Sequence, residues 1–246
     1  MSALPLITPN WPAPGHISAF TTTTAGGVSS GDCSSFNLGT HVGDNPAHVA
    51  ANRARLQQHV GEAVQLCWLH QTHSDIIENL NHYQGITEAD AAVTSQANCA
   101  CIVMTADCLP VLLCDVLGET VAALHCGWKG LYHDLIGKTL AQYFQGKPVM
   151  AWLGPAIAPS SYEVDEALYQ RFITNNPVYK SAFAANRPGH YLLDLYAIAG
   201  QQLTAAGVAE TATSNYKNNL LININLLHWV VDAKVSFFYM ASSITS

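Results

Sequence analysis

Three side chains with metal-binding chemistry stand at the ends of short apolar segments in the middle of the chain. They are His73, Cys108 and His125. Two neutral imidazoles and one thiolate form a ligand set of the kind that holds a catalytic zinc, which keeps a fourth position for water or substrate. The separations of 35 and 17 residues do not by themselves bring the three together. A buried free cysteine with two hydrogen-bonded histidines is therefore the alternative interpretation at this point.

An acid and a cation stand beside this set in the sequence. Asp107 directly precedes Cys108 at the mouth of a turn, where it would orient a metal-bound water or act as a general base. Its alternative role is to cap the turn before Pro110. Lys129 lies in a loop that joins a strand to a helix through two glycines. Such a place suits an anion, and an ordinary turn with a solvated lysine is the alternative.

The spacing of apolar residues predicts the elements that position these groups. The predicted strands are Ile17–Thr23, Gln65–His70, Asp75–Leu80, Ala89–Thr94, Cys99–Ala106, Pro110–Val116, Thr120–His125 and Val149–Leu153. Helical stripes run over Val49–Val60 after the cap Asp44-Asn45-Pro46, over Leu131–Phe144, over Val164–Phe172, and over Leu193–Ala206 before Gly207. Strands first and helices interleaved later are typical of a mixed-sheet α/β or α+β layered domain. With no linker or repeat, we expect a single domain over residues 1–246.

Composition and charge narrow the classes of function. The chain has 246 residues, 49% of them hydrophobic and 11% charged, which suits one globular domain with a sizeable core. The formal net charge of −7 argues against binding to nucleic acid or to an anionic membrane. We see neither a secretory leader nor a membrane span, and we expect a soluble, cytoplasmic protein. Its seven cysteines are then expected to be reduced, with Cys99, Cys101, Cys114 and Cys126 as small core residues.

The last 36 residues, 211–246, differ in composition from the rest of the chain. They contain no arginine, five asparagines lie between Asn215 and Asn225, and neither a helical nor a strand period is clear. We therefore expect this atypical C-terminal segment to be less well packed than the rest of the domain. A shifted reading frame would produce such a segment, and genuine divergence is the alternative.

Eight short motifs follow one another in a fixed order along the chain. They are Gly26-Gly-Val-Ser, Ser35-Phe-Asn-Leu-Gly, Gly43-Asp-Asn-Pro, Trp68-Leu-His-Gln-Thr-His, Ala89-Asp-Ala, Met104-Thr-Ala-Asp-Cys-Leu-Pro-Val-Leu, His125-Cys-Gly-Trp-Lys-Gly and Leu153-Gly-Pro-Ala-Ile. Together, roughly over residues 5–210, they resemble the bacterial YfiH family, also called the laccase-domain or polyphenol oxidase family. The resemblance implies a layered α/β/β/α fold akin to the catalytic domain of cytotoxic necrotising factors.

The resemblance also implies an activity. Members of the family act as purine nucleoside phosphorylases on adenosine, inosine, guanosine and methylthioadenosine, with adenosine deaminase activity. The implied partners are a purine nucleoside and phosphate, and the oligomeric state stays open. By the matching motifs, His73, Cys108 and His125 fall on the family's zinc ligands. Catalysis would then involve Asp107, Cys108 and His125, with Lys129 holding phosphate.

Two further residues lie in matching motifs and would position substrate. They are Asn37 and Glu163, for which a turn amide and an acid in the first turn of a helix are the alternatives. The chain also departs from the family pattern. Thr24 stands where the family usually has arginine, and the residues after Glu210 do not match the family pattern. Lys129 also replaces an arginine, so it lacks the two parallel N–H donors with which a guanidinium binds phosphate.

Three other functions stay open from the sequence. The kinship with necrotising factors leaves a hydrolase in which Cys108 and His125 act as a dyad. A copper polyphenol oxidase is less favoured, because the 11 histidines include no His-x-His pair of the sort a multicopper enzyme needs. A metal-binding protein that has lost catalysis with its C-terminal segment is the third.

Overall fold

The structure is a computed structural model that describes residues 3–208, together with the backbone of residues 213–215 and 236–242. Its strands are β1 (Leu6–Ile7), β2 (Ile17–Thr22), β3 (Gln65–Cys67), β4 (Leu69–His70), β5 (Ile77–Asn79), β6 (Thr87–Glu88), β7 (Ala91–Thr94), β8 (Cys99–Thr105), β9 (Leu109–Asp115), β10 (Val121–Cys126), β11 (Val149–Leu153), β12 (Glu163–Asp165), β13 (Phe183–Arg187), β14 (His190–Leu193), β15 (Thr213–Asn215) and β16 (Ser236–Ser242). Its α-helices are α1 (Pro46–Val60), α2 (Trp128–Tyr132), α3 (Leu135–Tyr143), α4 (Glu166–Asn175) and α5 (Leu195–Ala205).

Two mixed sheets form the centre of the fold. The strand order is β1-β2-β16-β8-β3 in the first sheet and β15-β11-β9-β10-β7-β5 in the second. Every residue of β8, β9 and β10 is buried. Strands that are covered on both faces carry such continuous apolar runs instead of an alternating pattern. The remaining strands form two small sheets, β12-β14-β13 and β4-β6.

Three apolar clusters define the order of the layers. Leu56 of α1 belongs to the cluster on the outer face of the first sheet. Val103 of the first sheet and Leu112 of the second share the cluster between the sheets. Leu113, which faces the other way from Leu112, packs with Leu135 and other residues of α2 to α5. The layers are therefore α/β/β/α, which confirms the predicted fold class.

The predicted helix ends are found where their capping residues stand. Asn45 accepts a hydrogen bond from Ala47 N at 2.9 Å, and Pro46 takes the first helical position of α1. At the other end of the domain, Gly207 follows α5 with a φ of 81°, the left-handed conformation that ends many helices.

The predicted helix over Leu131–Phe144 is wrong as a single element. Asp134 has a φ of 57°, so the chain stops there and restarts, with the Asp134 side chain capping α3. This divides the segment into α2 and α3. The predicted helices that begin at Val164 and Leu193 are wrong at these first residues, because Val164 lies in β12 and Leu193 in β14.

The predicted strands are present, with bounds within two residues of the predicted ones. Gln65–His70 divides into β3 and β4, and Asp75–Leu80 shrinks to β5. The hairpin β13–β14 is an addition to the prediction. Its first strand, Phe183–Arg187, is almost wholly exposed and has no alternating apolar pattern by which it could be recognised.

The backbone of the C-terminal segment contributes to both sheets. β16 pairs with β2 on one side and with β8 on the other, and β15 pairs in parallel with β11. The expectation of looser packing for residues 211–246 concerns side chains that lie outside the described part of the chain, and it stays a prediction.

All seven cysteines lie within residues 3–208, and pairs joined by a disulfide bond are absent from this part of the chain. Cys99, Cys101, Cys114 and Cys126 belong to the buried apolar clusters, which confirms their prediction as core residues. Among the described residues, no helix has both the length and the apolar character that a bilayer crossing needs.

Candidate metal centre

The ladder between β9 and β10 places Cys108 and His125 side by side. In this antiparallel pair His125 lies opposite Pro110. Side chains alternate along a strand, so Cys108, two residues before Pro110, lies on the same face as His125. Val121 and Ala123 of β10 belong to the cluster between the sheets. The Cys108 thiol and the His125 imidazole therefore lie on the face of the second sheet that packs against the first sheet, at the end of the β9–β10 pair.

His73 reaches the same place from the loop that follows β4. It has a φ of 59°, in the left-handed region that few residues other than glycine adopt. The side chain of Gln71 holds the loop against the end of β8, because its amide donates to Met104 O at 2.8 Å and accepts from Met104 N at 2.7 Å. The Gln71 amide thus pairs with the backbone of Met104 as a neighbouring strand would, just before the turn that carries Cys108.

The three predicted ligands converge. Cys108 Sγ lies 3.8 Å from His73 Nε2, and the rings of His73 and His125 are 4.7 Å apart at an angle of 67°. The ligand atoms of all three lie within 4.8 Å of one another. In a tetrahedral zinc site with one sulfur and two nitrogen ligands, neighbouring ligand atoms are about 3.5 Å apart. The donor set and its spacing fit zinc after a small contraction.

A buried carboxylate orders the whole arrangement. Asp90, completely buried directly before β7, accepts hydrogen bonds from the backbone N–H groups of Thr72, His73 and Ser74 and from the Ser74 hydroxyl, at 2.6–3.2 Å. It also accepts from His125 Nδ1 at 2.7 Å. That bond leaves His125 Nε2 as the nitrogen with a free lone pair, as in the carboxylate–histidine–metal arrangement.

The hydrogen bonds decide the charge of Asp90. Burial alone would raise the pKa of the carboxyl, but the bonds from His125 and Ser74 lower it to about 2 from an ordinary value of 3.8. The carboxylate is therefore ionised at neutral pH. Its contribution to stability is fully present above pH 3.8 and is lost as the pH falls through about 2.

The pKa of the Cys108 thiol shifts in the opposite direction to that of Asp90. Burial raises the pKa of Cys108 to about 12, with further contributions from the negative charges of Asp107 and Asp90. The pKa of His73 is lowered, chiefly by burial and then by the neighbouring His125. The site thus disfavours a free thiolate beside an imidazolium, which is the form that an activated catalytic cysteine takes.

Asp107 and Lys129 lie at the rim of the centre. Asp107 is exposed in the turn between β8 and β9, and its carbonyl accepts from Ile157 N at 2.9 Å. This contact brings the loop after β11 to the same turn. Lys129 is exposed in the first turn of α2, and its charge contributes to lowering the pKa of His73. Their catalytic roles stay predictions.

The two predicted substrate residues have other contacts. The buried amide of Asn37 donates to Gly39 O and to Asp44, and it accepts from Gly39 N. Glu163 lies in β12, not in a helix, and its pKa is lowered to about 2 by the hydrogen bonds from Arg187. Neither residue hydrogen-bonds to His73, Cys108 or His125, and their binding of substrate stays a prediction.

Gly127 lets the backbone of α2 approach the ligands. A Cβ at this position would lie 2.8 Å from Cys108 Sγ and 3.1 Å from His73 Cδ2. Sequence reasoning missed the parts played by Asp90, Gln71 and Gly127, although each stands inside one of the motifs. The available signal was chemical, because a carboxylate at the head of the apolar run after Ala89 needs a partner when it is buried.

Known proteins with similar sequences and a similar fold cover most of the chain. Residues 18–219 match the family described as multi-copper polyphenol oxidoreductase laccase. A purine nucleoside phosphorylase of Haemophilus influenzae is 43% identical over 214 residues, which cover 85% of this chain and 87% of that protein. The purine nucleoside phosphorylase YfiH of Shigella flexneri is 39% identical over 208 residues, covering 83% and 85%. The crystal structure of Neisseria meningitidis protein NMB0706 has a TM-score of 0.88 at 36% identity and covers 97% of this chain and 99% of that one.

Asp90→Asn tests the carboxylate. The amide keeps the shape but has one acceptor oxygen in place of two, so donors in residues 72–74 lose their partner. We expect a loss of about 3–5 kcal/mol in the free energy of unfolding and of about 10–100-fold in zinc affinity. Denaturant titration and competition with a chromogenic chelator measure the two quantities.

Asp115→Asn is the matched control for that variant. Asp115 is a buried carboxylate at the far end of β9 that also accepts from three backbone N–H groups, those of Leu117, Glu119 and Thr120. The Asp115→Asn protein should have a lower free energy of unfolding than the wild type and an unchanged zinc affinity. Unchanged zinc affinity in a folded Asp90→Asn protein would show that the carboxylate does not order the ligands.

Gly127→Ala tests the close approach of α2. Its φ of −68° suits alanine, so the backbone is not strained and the effect is the collision with Cys108. We expect weakened zinc binding with secondary structure retained. Gly200→Ala, in α5 with no atom beyond the nearby backbone of its own helix within 4 Å of the added Cβ, is the control. Equal zinc affinity in both variants would contradict the prediction.

Proposed function

The chain belongs to the laccase-like family that includes the YfiH purine nucleoside phosphorylases, and from this premise we propose that it is a zinc-dependent purine nucleoside phosphorylase that also deaminates adenosine. Relatives at 39% and 43% identity carry the phosphorylase name. The proposal extends that name to this chain and adds the metal, the second activity and the nucleosides adenosine, inosine, guanosine and methylthioadenosine as substrates.

The observation that carries the proposal is the convergence of His73, Cys108 and His125 around one point, with Asp90 behind His125. Within the described residues this is the one group of three such ligands whose atoms come together. A multicopper oxidase needs several such groups, which favours a single zinc over the copper in the family's description. The set leaves a coordination position for substrate or water.

Each residue of the site would have a separate role in the reaction. His73, Cys108 and His125 would hold the zinc, which when bound supplies Lewis-acid chemistry and a water of lowered pKa. Asp90 fixes the ring orientation of His125. Asp107, exposed beside Cys108, would accept and return the proton that moves during deamination. Lys129 would attract phosphate to the same rim.

A Cys-His-Asp hydrolase is the second candidate, and one contact favours it. The hydrogen bond of 2.7 Å from His125 to Asp90 is the orientation that a catalytic triad requires, with Cys108 as the nucleophile. That mechanism leaves His73 without a part, although the fold holds it 3.8 Å from the same thiol. The zinc proposal uses all three side chains.

His73→Ala separates the two candidates. We expect one zinc per chain in the wild type, and a loss of activity above about 100-fold in His73→Ala, in His125→Ala and after chelation. Cleavage of inosine with phosphate and deamination of adenosine are assayed separately, with zinc measured by elemental analysis. His70→Ala, an exposed histidine three residues earlier, is the control. Full activity in metal-stripped protein and in His73→Ala would overturn the zinc mechanism and favour the triad.

A further inference from the structure

Two exposed cations, one on α2 and one on α4, have no acidic partner in the described part of the chain. Elsewhere Lys138, Lys147 and Arg187 form ion pairs with carboxylates. Lys129 and Arg171 are exposed, and neither forms an ion pair with an acid within residues 3–208. Exposed cations that no acid neutralises are available to an anionic ligand.

Both cations lie against one indole ring. Lys129 Nζ and Arg171 Cζ are each 5.8 Å from the centroid of Trp128. Arg171 also lies 6.0 Å from the ring of Tyr132, which stands one helical turn after Trp128 in α2. The guanidinium therefore reaches from α4 across the aromatic face of α2. In a protein of net charge −7, two positive charges are gathered at one place.

The beginning of α2, which carries Trp128 and Lys129, adjoins the metal centre. Gly127, the cap residue of α2, is packed so closely that a Cβ there would lie 2.8 Å from Cys108 Sγ. Arg171 lines an open cleft of about 550 Å³ between α2 and α4. An anion that bridges Lys129 and Arg171 would lie at the end of α2 that begins against Cys108.

We propose that Lys129 and Arg171 together form the subsite that binds inorganic phosphate for phosphorolysis. The proposal rests on the proposed function and adds to it a residue, Arg171, that lies outside every motif of the sequence. An ammonium acts on phosphate as a point charge, whereas a guanidinium offers two parallel N–H groups. Arg171 thus supplies the bidentate fork that Lys129 lacks.

The reaction explains why the phosphate needs two cations. A phosphate oxygen forms a bond to C1′ of the ribose while the bond from C1′ to N9 of the purine breaks. The electron pair of the broken bond leaves with the purine, which takes up a proton, so the products are ribose 1-phosphate and the free base. The two cations hold the anion against C1′ and exclude orientations in which water would attack instead.

Two other roles for Arg171 make different predictions. As a purely structural clamp it would hold α4 on α2 by stacking on Trp128 and Tyr132. As a site for a phosphomonoester, it would bind the 5′-phosphate of a nucleotide in place of free phosphate. The experiment therefore needs a neutral variant, a cationic variant and both kinds of phosphate.

The test uses the full-length, zinc-loaded protein with Arg171→Met, Arg171→Lys and the control Lys180→Met, which removes an exposed charge from the 3₁₀ helix Pro177–Ala182. The KM for phosphate and the KM for inosine are measured separately. We expect Arg171→Met to raise the phosphate KM about 10-fold or more, with little change in the inosine KM or in the melting temperature. Arg171→Lys keeps the charge but not the two parallel N–H donors, so it should recover only part of the loss, and Lys180→Met should behave as wild type.

Three results would overturn the proposed phosphate subsite. The first is an unchanged phosphate KM in Arg171→Met, and the second is an equal loss in Arg171→Met and Arg171→Lys together with a lower melting temperature. The third is competition by adenosine 5′-monophosphate that depends on Arg171 while the binding of inorganic phosphate does not. Phosphorus NMR of inorganic phosphate with zinc-loaded wild type and Arg171→Met, without nucleoside, separates this proposal from the activity. Arg171-dependent binding in a protein without phosphorolysis would support the subsite and refute the proposed function.

Discussion

One buried carboxylate connects the segments that carry the candidate metal ligands. Asp90 takes its hydrogen bonds from the loop of His73 and from the ring of His125, which are far apart in the sequence. An ionised carboxylate without these donors would be strongly disfavoured at a completely buried position. The loop and β10 are therefore held at a fixed distance, because any movement that separates them leaves a buried charge unsatisfied.

The sheets supply the second constraint. The register of β9 against β10 places Cys108 on the same face as His125, and a shift of one residue would turn the thiol to the other face. Gln71 joins the His73 loop to the end of β8 through two backbone hydrogen bonds. Gly127 then allows α2 to begin directly against the thiol. Since β8, β9 and β10 are buried along their whole length, the ends of these strands form a rigid base for the site.

Much of this architecture is predictable from the sequence. Apolar runs place most central strands, the cap at Asn45 places α1, and the motifs identify His73, Cys108 and His125. Long-range contacts are what the sequence does not reveal. Nothing local shows that Asp90 bonds to residues 72–74, or that Arg171 reaches Trp128. The break at Asp134 is also hidden, because the helical spacing of apolar residues continues through a residue in the left-handed conformation.

The central claim is that Asp90 orders His73, Cys108 and His125 into one zinc site, and X-ray absorption spectroscopy of the zinc-loaded protein tests it most directly. The account predicts one sulfur neighbour at about 2.3 Å and two imidazole nitrogens at about 2.0 Å, with a lighter atom completing the shell. Cys108→Ser should remove the sulfur signal, and Cys33→Ser, at the half-buried cysteine in the 3₁₀ helix Gly31–Cys33, should leave it unchanged. A zinc shell without sulfur, or one that keeps its sulfur in Cys108→Ser, would contradict the account.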